Sequence, residues 1–238
     1  MGKTLIHQAR GKGSPRYTSP SFRFKGSVNH KRVMKNEETL KGTVQDIINC
    51  QGHTAPLMKI KYQDNQEILQ IACEGIRVGE EVHSGEKSPI KSGNVLPLKN
   101  IPEGTLIYNI ELKPGDGGKL IRTSGTFGKV ITKLSDKVII ILPSKKEKTL
   151  LPDCRAVIGK IAGGGRPDKP LYKAGNNYFK MRARKKLYPS VSGTSQNSVD
   201  HPFGGTTSSH KGRPTVAPRF APAGRNVGKI SPRRTGRR

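Results

Sequence analysis

Leu40-Lys41-Gly42-Thr43-Val44-Gln45-Asp46-Ile47-Ile48 alternates apolar with polar residues, Pro56-Leu57-Met58-Lys59-Ile60-Lys61-Tyr62 does so again, and Glu67-Ile68-Leu69-Gln70-Ile71-Ala72 continues the series. A period of two places every second side chain on one face, as a half-buried strand requires. Gly52, Asp64-Asn65 and Gly75 fall between these runs, where turns are needed. A second set follows Pro89 to Gly93. It comprises Val95 to Leu98, Thr105 to Ile110, Leu120 to Arg122, Gly128 to Leu134, Lys137 to Leu142 and Arg155 to Ile158. Short strands at this spacing, with Gly and Pro between them and no long helical pattern, indicate small all-β barrels. About ten strands between Leu40 and Ile161 suit two barrels better than one, with the seam near Pro89 to Gly93. Pro97, which lacks a backbone donor, is expected on an edge or at a bulge.

Charge separates this β region from both ends of the chain. Residues 1–35 carry nine Lys or Arg and no Asp or Glu. Residues 36–160 hold 18 basic and 15 acidic residues and are nearly neutral. Residues 161–238 carry 17 Lys or Arg against only Asp168 and Asp200, with 11 Gly and 8 Pro. The net charge of +27 therefore sits mainly on two arms. Their few apolar side chains cannot offset the entropy of ordering so long a chain, so an external polyanion must help to order them. A pI near 10.3 with clustered Lys and Arg points to nucleic acid, because each neutralised phosphate releases counterions. The arms lack the amphipathic helical pattern with Trp, Phe and Leu that a membrane surface would require.

The remaining signals narrow the chemistry. No apolar run approaches the length of a bilayer span, and the start, Met1 to Gln8, lacks the apolar stretch of a secretory signal. The cytosol is the expected compartment. Cys50, Cys73 and Cys154 are odd in number and widely spaced, so they are expected as free, half-buried residues on strands rather than as a disulfide set or zinc ligands. His7, His30, His53, His83 and His210 have no ligand-like spacing. Neither a metal nor a cofactor is called for, a structural Mg2+ bound together with RNA being the one exception left open. Asp200-His201 beside Ser192, Ser195 and Ser198 supplies the ingredients of a catalytic triad, but a triad needs a nucleophile on a rigid turn and a base held by a buried carboxylate. An irregular arm offers neither, and the reading is that the chain is not an enzyme. Gly163-Gly164-Gly165-Arg166-Pro167 lacks the Gly-Lys-Ser/Thr and helix of a nucleotide loop; it is expected as a hinge whose backbone can approach RNA phosphate. Asn177 to Leu187 is a basic helix candidate, stopped by Pro189 and presenting Arg182, Arg184, Lys185 and Lys186 to phosphate.

Val199-Asp200-His201-Pro202-Phe203-Gly204-Gly205 carries a resemblance. It is preceded by Arg182-Ala183-Arg184 and Tyr188-Pro189, and followed by Gly212-Arg213-Pro214 and Arg233-Arg234-Thr235-Gly236-Arg237-Arg238. Together with Gly2 to Gly13, Gly93 to Leu98, Ile101 to Thr105, Arg122 to Thr126 and Cys154 to Gly159, it resembles the family of the second protein of the large ribosomal subunit, in its archaeal or eukaryotic-cytosolic form. The matches run the length of the chain in order.

The resemblance implies a mainly β fold, an OB-like barrel followed by an SH3-like barrel, with long basic irregular extensions at both ends. The expected divisions are residues 1–35, 36–90, 91–160 and 161–238. It also implies a structural role in the large subunit: binding its rRNA, supporting assembly and association with the small subunit, and shaping the region around the peptidyl-transferase centre. Implied partners are large-subunit rRNA and neighbouring ribosomal proteins, with contact to the small subunit and none to membrane or DNA.

Expected RNA contacts are Arg10, Lys12, Arg16, Arg23, Arg166, Arg182, Arg184, Lys185, Lys186, His201, Gly204, Gly205, Arg213, Arg219, Arg225, Arg233 and Arg234. His201 matches a family histidine, and the resemblance implies that it contacts RNA structurally while the chemistry belongs to RNA. Thr206 to Ser209 departs from relatives that carry more Gly or basic residues there. Two other classes make different demands. A DNA-binding chromatin-type protein would offer a groove-reading helix or a dimer seam, and a peptidyl-transferase or hydrolase would need convergent groups in a pocket.

Overall fold

The alternating segments form strands. In a computed structural model that describes residues 2–32, 39–205, 210–221 and 227–230, helix α1 (Ile6–Gly11) precedes β1 (Thr39–Ile48), β2 (Leu57–Tyr62), β3 (Glu67–Ile71) and β4 (Glu81–Gly85). There follow β5 (Val95–Pro97), β6 (Leu106–Tyr108), β7 (Gly128–Lys133), β8 (Val138–Ile141), β9 (Glu147–Leu150) and β10 (Arg155–Ile158). Helix α2 (Ala174–Ala183) and the two-residue strands β11 (Val216–Ala217) and β12 (Lys229–Ile230) complete the order. The fold is mainly β, an OB-like half followed by an SH3-like half.

Alternation does what the period predicts in β1. Leu40, Gly42 and Val44 face inward while Lys41, Thr43 and Gln45 face out. The register with β2 then shifts between Val44 and Asp46, a bulge that re-aims the strand and leaves Ile47 partly exposed. Gly42 is required by packing, because a Cβ there would lie 2.6 Å from Ile60 Cγ2 and 2.9 Å from Tyr62 Cδ1.

Three segments depart from the sequence reading. β4 and β9 lack an alternating pattern, each having a single buried aliphatic residue, Val82 or Leu150. They become strands because β1 and β8 offer unpaired backbone groups beside them. Leu120 to Arg122 is not a strand; only Leu120 bridges Ile110, and Ile121 takes a φ of 53°. Pro97 lies neither on a sheet edge nor at a bulge. It ends β5 opposite Arg155, beyond the one β4–β5 pairing at Ser84↔Val95, so its missing N–H falls where no partner strand asks for it.

The seam between the halves is a shared core rather than a linker. The ten strands form one sheet in the order β3-β2-β1-β4-β5-β10-β6-β7-β8-β9. Leu57 and Ile71 from the first half pack with Val95, Tyr108 and Val157 from the second. Tyr108 is fully buried and donates its hydroxyl to the Ile71 carbonyl at 3.0 Å, which satisfies the polar end of an otherwise apolar side chain. Each such large side chain contributes about 1.5–3 kcal/mol on burial. All three cysteines are free and fully buried, and none lies on a strand. Burial raises the pKa of Cys73 and Cys154 to about 11, which makes them inert as thiolates.

The chain divides into two compact units, Ser21–Pro170 and Met1–Pro20 with Leu171–Arg238. Residues 21–32 and 161–170, placed by charge in the arms, thus belong with the β strands. Val28 and Ile161 join the shared core, and the Ala162 N–H donates to the Ala72 carbonyl at 3.0 Å. Charge counting cannot see a single apolar residue that finds a core.

A buried polar group fastens the segment 21–32, a strap of the β unit. Glu111 is fully buried and accepts from the N–H groups of Gly115, Gly117 and Arg155 and from the Arg155 guanidinium, at 2.9–3.4 Å. Burial alone would raise its pKa; the hydrogen bonds and charge of Arg155, with His30 nearby, reverse this and hold Glu111 below the usual carboxylate range. Arg155 also donates to the Lys31 carbonyl, and Lys31 pairs with Asp64. His30 is buried beside them with Nε2 2.6 Å from the Asn109 carbonyl, so in its neutral form Nε2 carries the proton. Burial, then the charge of Arg155, pushes its pKa down to about 4.

Two outcomes are expected of this arrangement. Limited proteolysis of the free chain should leave a fragment bounded near Ser21 and Pro170; a product trimmed to residues 36–160 would show that the flanking segments do not hold. Acid unfolding should begin early. Between pH 6.5 and 4 the unfolded chain protonates His30 while the folded chain does not, so stability falls as pH falls through that window, by on the order of 3 kcal/mol. Glu111 adds a further decrease below its unfolded pKa. Chemical denaturation across pH should show this limb, and His30→Gln should flatten its upper part.

Candidate nucleic-acid interface

The second unit joins the two ends of the sequence. The Lys3 N–H donates to the Val199 carbonyl at 2.9 Å, and the Lys3 ammonium lies 3.3 Å from the Asp200 carboxylate. Leu5, Phe203 and Val227 form a small buried apolar cluster. Among the described residues three side chains make a modest core for so long a stretch, so local hydrogen bonds carry much of the shape. α1 illustrates this: its N-cap residue, Leu5, has no capping side chain, and Gln8 Oε1 accepts the Leu5 N–H at 3.0 Å instead.

Around His201 the chain turns on itself. The N–H groups of Asp200 and His201 both donate to the Asn197 carbonyl, and Gly204 N–H donates to the His201 carbonyl. His201 Nδ1 accepts the Phe203 N–H at 3.0 Å, and the two rings lie 5.0 Å apart. The Lys211 ammonium sits 5.6 Å from the centre of the Phe203 ring, a cation–π distance. An acceptor Nδ1 carries no proton to give a carboxylate, whereas a triad histidine must donate one. Asp200 is ion-paired with Lys3, and Ser192 Oγ shares a hydrogen bond with Thr194 at 3.1 Å. His201, Asp200 and Ser192 are therefore engaged elsewhere.

The two glycines after Phe203 differ. A Cβ on Gly204 would collide with the Asn197 carbonyl, whereas one on Gly205 would meet nothing within 4 Å. Gly204 serves the chain's own turn, and only Gly205 leaves its backbone open to an approaching partner. The glycine run at Gly163 to Gly165 behaves similarly. A Cβ on Gly125 would land on Gly164 Cα, so part of that run is explained by two backbones crossing within the β unit.

α2 begins three residues earlier than the sequence suggests and ends at Ala183, before Arg184. Lys186 N–H bonds the Met181 carbonyl and Lys185 N–H the Arg182 carbonyl, with Lys185 at a φ of 50°, which is a Schellman ending. Arg182 thus lies on the helix, while Arg184, Lys185 and Lys186 follow from its cap. Tyr178 and Phe179 are exposed in edge-to-face contact, and no residue of the helix is buried. Such a helix presents cations and two aromatic rings together, the pairing that suits phosphate and unstacked bases.

The other expected RNA-binding residues lie on the surface of their own units. Arg10, Lys12, Arg16, Arg23, Arg166, Arg182, Lys186, Arg213 and Arg219 are exposed, while Arg184, Lys185 and His201 are half-buried. Arg10 packs over Tyr17 and Arg23 over Phe22. Arg166 donates from Nε to Ser124 Oγ at 2.9 Å. Arg225, Arg233 and Arg234, and the Thr206 to Ser209 segment, lie outside the described residues. Lys3 escaped the sequence reading, because only the fold brings it to Asp200 from the far end of the chain. Among the described residues no group of three or more His, Cys, Asp or Glu could hold a metal, and no helix is long and apolar enough to cross a membrane.

Comparison with known proteins gives concordant matches. A family model described as Ribosomal Proteins L2, C-terminal domain, matches residues 91–222. Over its full length the chain is 50% identical to the large ribosomal subunit protein uL2 of Methanothermobacter thermautotrophicus and 48% identical to that of Methanococcus aeolicus, each also covered completely. The uL2 protein of Archaeoglobus fulgidus is 48% identical over 99% of both chains.

Gly193 should be intolerant of a side chain, because a Cβ there would fall on the His201 ring. Gly193→Ala is expected to displace the imidazole and free the Phe203 amide. The cost should be about 1–3 kcal/mol of local stability. Hydrogen exchange at Phe203 would report it, and unchanged protection would show that the turn adapts.

Proposed function

The chain belongs to the uL2 family of large ribosomal subunit proteins, and from that premise we propose that it acts by binding large-subunit rRNA with the unit formed by its two ends. It is a structural ribosomal protein rather than an enzyme. The observation that carries the RNA reading is physical. Both basic ends of the sequence meet in one unit whose apolar cluster, among the described residues, is three side chains, so like charges are brought together with little burial to offset their repulsion. A polyanion removes that repulsion and supplies the missing interactions.

Roles divide by chemistry. Exposed arginines and lysines at Arg10, Lys12, Arg16, Arg182, Lys186, Arg213 and Arg219 neutralise phosphates and set the position of the unit on rRNA. Arg23 and Arg166 do so from the β unit, and Arg225, Arg233 and Arg234, outside the described residues, add further positive charge to the same basic end of the sequence. His201, held by Phe203 and Gly193, contacts RNA as a positioned structural group, with Gly205 leaving room for close approach. In this reading the protein supports subunit assembly, association with the small subunit and the architecture around the peptidyl-transferase region, beside neighbouring ribosomal proteins. It needs no cofactor of its own, and Mg2+ enters only as an ion bound together with rRNA. The site of action is the large ribosomal subunit.

Arg182→Ala with Arg184→Ala should lower affinity for rRNA broadly and flatten the log–log salt dependence by about one unit of slope for each phosphate no longer neutralised. Equilibrium binding to large-subunit rRNA over a salt series measures this. Failure of the full chain to co-sediment with large subunits at moderate salt would overturn the proposal, and an unaltered slope would assign these two residues to solvent.

A further inference from the structure

Within the unit formed by the chain ends lies a cleft of about 660 Å³, bounded on one side by residues 3–10 and on the other by residues 187–201. We propose that this cleft receives one unstacked nucleotide of single-stranded RNA and reads its base edge. The proposal rests on the RNA-binding reading above and adds to it a site of base recognition, distinct from the phosphate contacts of the exposed cations.

Three features of the cleft select this occupant. Leu5, Ile6, Leu187 and Val191 give it apolar lining that a planar base can cover. Asn197 and Ser195, both solvent-exposed, line it with a carboxamide and a hydroxyl that no described group of the protein hydrogen-bonds. A carboxamide offers donors and an acceptor side by side, which matches the paired donor and acceptor of a base edge, whereas a phosphate would use its donors alone. Charge settles the class of macromolecule. The one carboxylate of the cleft, Asp200, is neutralised by Lys3, and Arg10 remains at the wall with its guanidinium over Tyr17. The cleft is therefore net positive in a strongly basic unit, which favours a nucleotide carrying its phosphate over an extended peptide of a neighbouring basic protein. Its volume falls within the range of pockets that enclose drug-sized ligands, and a nucleotide is such a ligand. The rRNA reading requires only a basic surface; an open cleft lined by apolar side chains and uncharged polar groups is the part of the unit that such a surface does not explain.

The test uses the full chain assembled into large subunits. Base edges are probed with dimethyl sulfate and a carbodiimide, and the rRNA backbone with hydroxyl radicals. With the native chain, one unpaired nucleotide should be protected at its base edge. With Asn197→Ala its reactivity should rise roughly tenfold, as expected for removal of an amide–base pair, while backbone protection elsewhere stays in place. Ultraviolet cross-linking of native subunits should join RNA to the peptide containing residues 187–201, and this arm stands even where the variant fails to assemble. Backbone protection with no base whose reactivity responds to Asn197→Ala would overturn the cleft proposal and leave the RNA reading intact. A cross-link from residues 187–201 to a neighbouring protein instead of RNA would overturn it as well. Absence of all backbone protection would instead remove the RNA reading on which it rests.

Discussion

One carboxylate organises the polar interior of the β unit. Glu111 is removed from water, and a buried charge is tolerable only when it is paired and hydrogen-bonded. It therefore fixes the 115–118 loop through backbone N–H groups and fixes Arg155 through the guanidinium. Arg155 in turn holds the Lys31 carbonyl, and Lys31 reaches Asp64 in the turn between β2 and β3. A chain of ion pairs and hydrogen bonds thus runs from the SH3-like half, through the strap, to the OB-like half. Such a network adds little stability over an apolar substitute, yet removing one partner leaves an uncompensated buried charge at a cost of about 3–5 kcal/mol. Its contribution is to specify one arrangement of three segments that hydrophobic packing alone would hold less selectively.

The unit formed by the chain ends is built on the opposite principle. Its apolar cluster is small, and its order comes from short hydrogen-bonded turns, one exposed ion pair and a histidine wedged between Gly193 and Phe203. An exposed ion pair such as Lys3–Asp200 contributes little by itself. A unit of this kind lies at the low end of local stability, and its geometry is sensitive to what binds it. This suits a protein whose partner is a large, highly charged, irregular surface, because much of the ordering then coincides with binding.

Phosphate contacts and base contacts make different demands. Exposed arginines on flexible stems can follow a backbone of any sequence, and their number sets affinity and salt dependence. Reading a base requires a neutral polar group with unengaged donors and acceptors beside an apolar wall. α2 and the segments around Arg213 and Arg219 satisfy the first demand, and the cleft lined by Asn197 satisfies the second. Both occur in one unit because the amino-terminal segment closes against the carboxy-terminal one.

The period-two alternation of Leu40 to Ile48 and Pro56 to Tyr62, and the charge contrast between the ends and the middle, were enough to determine a mainly β chain with basic extensions. Both signals are local sums over neighbouring residues, so they survive without knowledge of the fold. The motif around His201 was enough to point to the family for the same reason. Tertiary structure alone decided the rest. Glu81 to Gly85 and Glu147 to Leu150 became strands because of what lies beside them, and Val28 and Ile161 left the arms because a distant core had room for them. The pairing of Lys3 with Asp200 has no trace in either segment, since two isolated charges carry no information about each other until the chain folds. Only then do a Gly, a His and an Asn of ordinary appearance become a wedge, a turn and a cleft.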